Sequence, residues 1–174
     1  TLRLVRRIRR VELLTRGQRI HRGGHVVVVV AAAEEADRVH LVAPGARIMP
    51  LKAFQADGTS NISDIIRAIY YAVDHQAKVI NMSLSSPVRS KTVDDALDAA
   101  QVAGVTCIVS AGNLGTDERQ YPTSRKDVVV VAAVDSNNVK PAFSNFGTPI
   151  SVVAPGVGIR STYLAGGYAS WSGT

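Results

Sequence analysis

The sequence predicts an α/β fold in three layers, a mostly parallel sheet with helices on its faces. Three observations carry that expectation. Continuous apolar runs such as Val128–Val134 have the composition of strands covered on both faces. Segments of helical period, of which Asn61–His75 is the clearest, separate them. The chain has 174 residues, 46% hydrophobic and 20% charged, which suits one globular domain or part of a larger one. Disorder, collagen-like repeats and coiled coil are excluded. The longest apolar run, Val26–Ala33, is 8 residues, against the ~20 that cross a bilayer, so no membrane-spanning helix is expected.

Each element follows from its own pattern. Arg47–Phe54 reads as a strand, closed by a turn at Asp57–Gly58. In Asn61–His75, residues Ile62, Ile65, Ile66, Ile69 and Val73 recur every three or four positions; Asn61 is placed to cap the helix and Asp64 to favour its positive end. Lys78–Leu84 is a buried strand. Thr92–Ala103 is a second helix, with Val93, Ala96, Leu97 and Ala100 on one face and Gly104 as its stop. Val105–Ser110, Val128–Val134 and Ile150–Ala154 complete the strands. Ligands of such open sheets bind beyond the carboxyl ends of the strands. Attention therefore falls on Ser83–Ser86, Ser110–Gly115 and the segment after Pro155.

The net charge of +6 is unevenly spread. Residues 1–24 hold eight arginines and one glutamate, net +7, and the remaining residues sum to −1. The neutral body gives no electrostatic reason to expect nucleic-acid binding. The head could form a basic amphipathic helix through Leu2, Val5 and Ile8, or a solvated arm, or be foreign to the domain. It lacks the 7–15-residue apolar core of a signal peptide.

Several familiar sites are excluded. Gly156-Val-Gly158-Ile-Arg-Ser161 approaches a dinucleotide fingerprint, but Ser161–Tyr168 (STYLAGGY) cannot open a helix. There is no phosphate-binding loop, no GxSxG elbow and no HExxH. A lone Cys107 supports neither a disulfide framework nor a cysteine zinc site. His75, in the last turn of its helix, suits the dipole there. Asn113 is more informative. The strand in Ile108–Gly115 runs into glycine and presents a carboxamide at its carboxyl end, where it is either a turn residue or a donor toward a developing oxyanion.

Read together, VAPGARIMPLKAF (42–54), SDIIRAIYYAVDHQAKVINMSLSS (63–86), VSAGNLGTD (109–117), YPTS (121–124), VAAVDSNNVKPAFSNFG (131–147), VVAPGVGI (152–159) and YASWSGT (168–174) resemble the subtilisin-like serine proteases, in order and at the usual spacing. The resemblance implies serine endopeptidase chemistry on polypeptide substrates. It implies that Ser83, Leu84 and Ser85 line one wall of the pocket for the residue before the scissile bond, and Ser110, Ala111 and Gly112 the other. Asn113 matches the oxyanion-hole asparagine, and Tyr121-Pro122 a pair for which a cis bond is expected. Neither nucleic acid nor membrane is an expected partner, and oligomeric state is left open. Extracellular location and calcium are expectations from the family alone, with no calcium site assignable.

The family pattern also fails at its centre. The nucleophile follows Ser-Gly-Thr, and here Ser172-Gly173-Thr174 has no following serine. Alignment of the histidine motif places Arg22 or Ala31 at the base, and arginine does not deprotonate in proteins. No Asp-Thr-Gly or Asp-Ser-Gly turn supplies the orienting acid. The expectation is therefore a partial subtilisin-like domain over 39–174, incomplete at both ends and inactive as it stands. Residues 1–38 form a non-native or disordered head, read out of frame or fused. The alternatives are a non-catalytic pseudoprotease that binds extended peptides, or a binding module using the basic arm.

Overall fold

A computed structural model of the chain describes residues 26–30, 43, 45–55, 58–163 and 167–174. Its main sheet has six parallel strands. In chain order they are β1 (Val26–Val30), β2 (Arg47–Leu51), β3 (Val79–Met82), β4 (Thr106–Ser110), β5 (Val129–Val134) and β6 (Val152–Pro155), arranged β2-β1-β3-β4-β5-β6. Helix α1 (Ile62–Asp74) lies between β2 and β3 in the chain, and α2 (Lys91–Val102) between β3 and β4. An antiparallel hairpin, β7 (Ile159–Tyr163) with β8 (Gly167–Trp171), closes the described chain.

Strand β1 corrects one boundary. Val26–Val30 falls inside the head set apart at residues 1–38, yet it pairs in parallel with both β2 and β3. The cause is compositional: five successive valines, β-branched throughout, suit an interior strand. The arginine-rich residues 1–25 lie outside the described residues, so the expectation for Thr1–Gly24 does too.

The core is built in rows. Ile80 and Met82 of β3 lie in register with Cys107 and Val109 of β4, and Val109 with Val130 of β5. All five are buried. Helix α1 covers this face with Ile65, Ala68, Ile69 and Ala72, and α2 with Val93, Ala96, Leu97 and Ala100. Two alanines on each face let the helices pack against one another. Both described helices thus share one layer; a layer on the opposite face is not among the described residues. Accordingly β5 alternates half-buried with buried residues at its start, where the sequence suggested cover on both faces.

Two local expectations resolve differently. Asn61 takes the extended cap geometry, but its side chain makes no cap bond. Its Nδ2 donates to Asp64 Oδ2 at 3.3 Å instead, so the acid that suits the helix dipole has captured the capping group. Gly104 ends α2 as expected, at φ +74, a left-handed conformation that suits glycine.

Candidate active-site cleft

Strands β3 and β4 are parallel neighbours, so their carboxyl ends open on one edge of the sheet. There the chain forms a cleft of about 320 Å³. Ser83, Leu84 and Ser85 line it from β3, and Ser110, Gly112 and Asn113 from β4. Of the seven residues that sequence reading assigned, Ala111 alone does not line the cleft; it is buried beneath. The structure also brings in Leu114, Gln120 and Thr174.

Asn113 is held at one end and open at the other. Its Oδ1 accepts two bonds from Thr174, from N at 3.0 Å and Oγ1 at 3.1 Å. Thr174 Oγ1 in turn accepts from Gly112 N at 3.0 Å. The segment that delivers Thr174 is fixed behind it: Gly173 N donates to Gly156 O at 2.9 Å, and Gly158 N to Ser172 Oγ at 3.0 Å. With Oδ1 so occupied, the carboxamide must direct Nδ2 the other way. Nδ2 has no hydrogen-bond partner among the described residues and lies 3.4 Å from where a Cβ on Gly173 would stand. A donor fixed in direction and free of partners can bind an oxygen that gains negative charge.

The loop that carries Asn113 is clamped by a residue the sequence reading did not single out. Asn145, 2% exposed, accepts at Oδ1 from Leu114 N at 2.9 Å and Thr116 N at 3.2 Å. Its Nδ2 donates to Ala111 O, and its backbone N to Gly112 O, both at 3.0 Å. Asn113 is thus bracketed on both sides. Gly112 sits within this clamp at φ +101, where a Cβ would overlap Gln120 Oε1 and stand 2.6 Å from Asn145 Nδ2. Asn145 is seated in its turn by Ser144, whose Oγ accepts from Ala133 N at 3.0 Å and donates to Asn145 O at 3.1 Å.

Beside the cleft runs Gln120–Arg125, with a cis bond between Tyr121 and Pro122. Ser86 and Tyr121 exchange both backbone bonds, at 2.8 and 2.9 Å, tying this segment to the end of β3. Tyr121 Oη donates to Asp94 Oδ1 at 3.1 Å, and Arg125 bridges Asp94, Asp98 and Asp127 at 2.7, 2.5 and 2.5 Å. Burial pushes the Asp94 carboxyl up, but bonds from Arg89, Arg125 and Tyr121 outweigh it and hold the pKa below the usual carboxylate range. Burial, with Asp94 beside it, raises the Tyr121 hydroxyl. Above this cluster lies a hollow of about 400 Å³ lined by Arg89, Lys91, Asp94, Asp95 and Asp98. Arg89 pairs there with Asp94 and Lys91 with Asp95, so its charges satisfy one another and the hollow is structural.

No group of three or more His, Cys, Asp or Glu positioned to hold a metal occurs among the described residues. Burial pushes the Cys107 thiol up to about 11, which makes it an inert core side chain. His75 Nδ1 donates to Tyr71 O at 2.8 Å while its ring stacks on Tyr71, a helix-end role.

Open parallel α/β sheets bind their ligands beyond the carboxyl ends of the strands, and the Asn113 amide stands at that edge, opposite the end of a neighbouring strand. The profile of the Subtilase family matches residues 17–174, and the chain belongs to that family. It is 37% identical over 152 residues to Subtilisin BL of Lederbergia lenta, covering 87% of this chain and 56% of that protein. It is 39% identical over 153 residues to the thermophilic serine proteinase of Bacillus sp. strain AK1, covering 87% and 38%. The chain spans about half the length, or less, of the curated relatives it matches. Among solved structures, a cold-adapted subtilisin-like serine proteinase superposes with a TM-score of 0.74 at 23% identity, covering 87% of this chain and 69% of the other. The prenylagaramide maturation protease PagA gives 0.72 at 22% identity, covering 86% and 69%. These two share the fold.

Proposed function

We propose that these residues are the substrate-binding and oxyanion half of a serine endopeptidase. An extended peptide lies between the ends of β3 and β4. Its residue before the scissile bond enters the pocket walled by Ser83–Ser85 and Ser110–Gly112, and Asn113 Nδ2 donates to the oxygen of the scissile carbonyl as it becomes an oxyanion. The observation that carries this reading is the Asn113 carboxamide, pinned at Oδ1 by Thr174 with Nδ2 unpartnered. In the complete reaction a serine attacks the carbonyl carbon, a histidine takes the serine proton and returns it to the leaving amine, and an aspartate orients the histidine. None of those three groups can be assigned among these 174 residues. In this reading the polypeptide binds peptide without cleaving it; the alternative reading is a non-catalytic peptide-binding module. Polypeptide substrates and an extracellular setting belong to the same proposal. So does calcium, to which no residues are assigned.

Two measurements test it. On addition of an extended tetrapeptide, the Asn113 side-chain amide and the backbone amides of Ser83–Ser85 should shift together in NMR spectra; unmoved signals would sink the reading. A fluorophosphonate probe should label neither this chain nor one extended by a serine and a following helix, because extension restores the nucleophile without its base. Labelling of the extended chain that disappears on His21→Ala or His25→Ala would show that one of those histidines is the base.

A further inference from the structure

Asp94 sits where one wall of the cleft is fastened to the rest of the fold. The register of β3 with β4 ends at Met82 and Val109, so Ser83–Ser85 run beyond the sheet ladder as they line the cleft. The next backbone bonds along the chain are the two between Ser86 and Tyr121, at 2.8 and 2.9 Å. The chain then turns on Ser86, whose Oγ donates to Val88 O at 3.0 Å and accepts from Val88 N at 3.1 Å.

What Tyr121 holds on to therefore fixes where the wall ends. Tyr121 is buried, and its Oη donates to Asp94 Oδ1 at 3.1 Å. Arg125, at the other end of the same segment, donates to that oxygen at 2.7 Å. The second oxygen, Oδ2, accepts from Arg89 Nε at 2.6 Å, shortly after Ser86 and just ahead of α2. One buried carboxylate on α2 thus joins the segment that carries Tyr121 to the far end of the loop that carries the wall. Hydrogen bonds to a charged acceptor are among the stronger ones. A peptide that adds to a strand end is held by main-chain bonds, which weaken steeply with small shifts in distance and angle. We infer that Asp94 is a positioning residue for the peptide-binding wall: through Tyr121 and Ser86 it holds Ser83–Ser85 at the distance from β4 that admits one extended strand. It touches neither the peptide nor the reacting atoms. This role rests on the peptide-binding reading above and adds the group that sets the width of the cleft.

Tyr121→Phe isolates the link, because the ring and both backbone bonds to Ser86 stay while the donor to Asp94 is lost. Asp94→Asn keeps the side-chain shape and removes the charge. Ile69→Val is the control: Ile69 is a core residue of α1, and its lost methylene weakens the fold without removing any of these bonds. The whole chain and each variant, fully folded, are titrated by anisotropy with fluorescein-labelled Ala-Ala-Ala-Phe amide, and their peptide-free amide signals are compared by NMR. Tyr121→Phe should weaken binding about five- to tenfold, Asp94→Asn at least as much, and Ile69→Val not at all. In both network variants the peptide-free amides of Ser83–Ser85 should shift and exchange faster, while those of Ser110 and Gly112 on the opposite wall hold still. A merely stabilising role would move the unfolding curves and leave affinity and these signals unchanged. Unchanged affinity in Tyr121→Phe would overturn the inference even if Asp94→Asn does not fold. So would equal weakening by Ile69→Val, or shifts spread evenly over both walls. In each of those cases the peptide cleft itself stands. If the unchanged chain binds no peptide, the cleft reading and this role fail together.

Discussion

The Asn113 loop and the Arg125 cluster are both polar assemblies, they flank the same Gln120–Arg125 segment, and they are held by opposite means. Asn145 fixes the loop with neutral amide bonds to four backbone groups, its own backbone N included. Arg125, 11% exposed at its side chain, fixes the other with one cation set against three carboxylates. Neutral clamping leaves the cleft without charged walls, as the role proposed for the Asn113 amide requires. Ionic clamping is the more vulnerable when broken, because the groups left behind stay charged.

Arg125→Leu should give the largest effect. It leaves the buried Asp94 with only Arg89 and Tyr121 as partners and takes the cation from Asp127, and should lower unfolding free energy by about 3–5 kcal/mol in urea titrations. A loss under about 1 kcal/mol would mean that the cluster is no more than a surface array. Asn145→Leu comes next, at about 2–3 kcal/mol, since Ala111 O and the Leu114 and Thr116 amides lose their partner. Asn145→Asp should recover part of this, because it restores the acceptor but not the donor. If Asp and Leu are equally damaging, the clamp works by shape rather than by hydrogen bonding.

The two assemblies separate most cleanly with pH. The folded Asp94 carboxyl titrates below its unfolded counterpart, near pH 3.9. Its stabilisation is therefore present above that value and is lost as pH falls through the folded pKa. The gap in stability between the natural chain and Asp94→Asn should shrink as the solution is acidified below about pH 4. The gap to Asn145→Leu should stay flat across the same range. Parallel curves would show that the division between charged and neutral clamps is false. The smallest change is expected from Arg89→Ala. Its 2.6 Å bond to Asp94 is made by a side chain 74% exposed, so the loss should stay under about 1 kcal/mol and fade with added salt.

Legibility in the sequence followed the same physical line. Helices α1 and α2 and strands β3 to β6 were readable to within two residues at most ends, because burial on one face imposes a period on the chain. Strand β1 was not assigned, since five valines beside an arginine-rich stretch look like compositional bias until neighbouring strands are in place. Asn113 was legible because it follows a buried strand and a glycine. Asn145 and Gln120 were not. A polar side chain in a connecting segment looks the same in sequence whether water or four backbone groups surround it, and the difference is made by tertiary closure. Val-Lys-Pro-Ala-Phe-Ser-Asn-Phe-Gly carried a family resemblance but no period that would betray a buried carboxamide.

The bonds from Thr174 to Asn113 join positions 61 residues apart. Closing so long a loop has an entropic cost that grows only with the logarithm of its length, but here few and partly exposed bonds oppose it. Such a contact opens locally at little free energy, well before the sheet does. When it opens, Oδ1 is released and the carboxamide can spin, so the direction of the Nδ2 donor is lost without any strand moving. The backbone amide of Gly112, bonded to Thr174 Oγ1, would then exchange with solvent deuterium faster than the neighbouring amide of Leu114, bonded to Asn145. The ratio of those two exchange rates is a clock on how much of the time the Asn113 carboxamide is aimed.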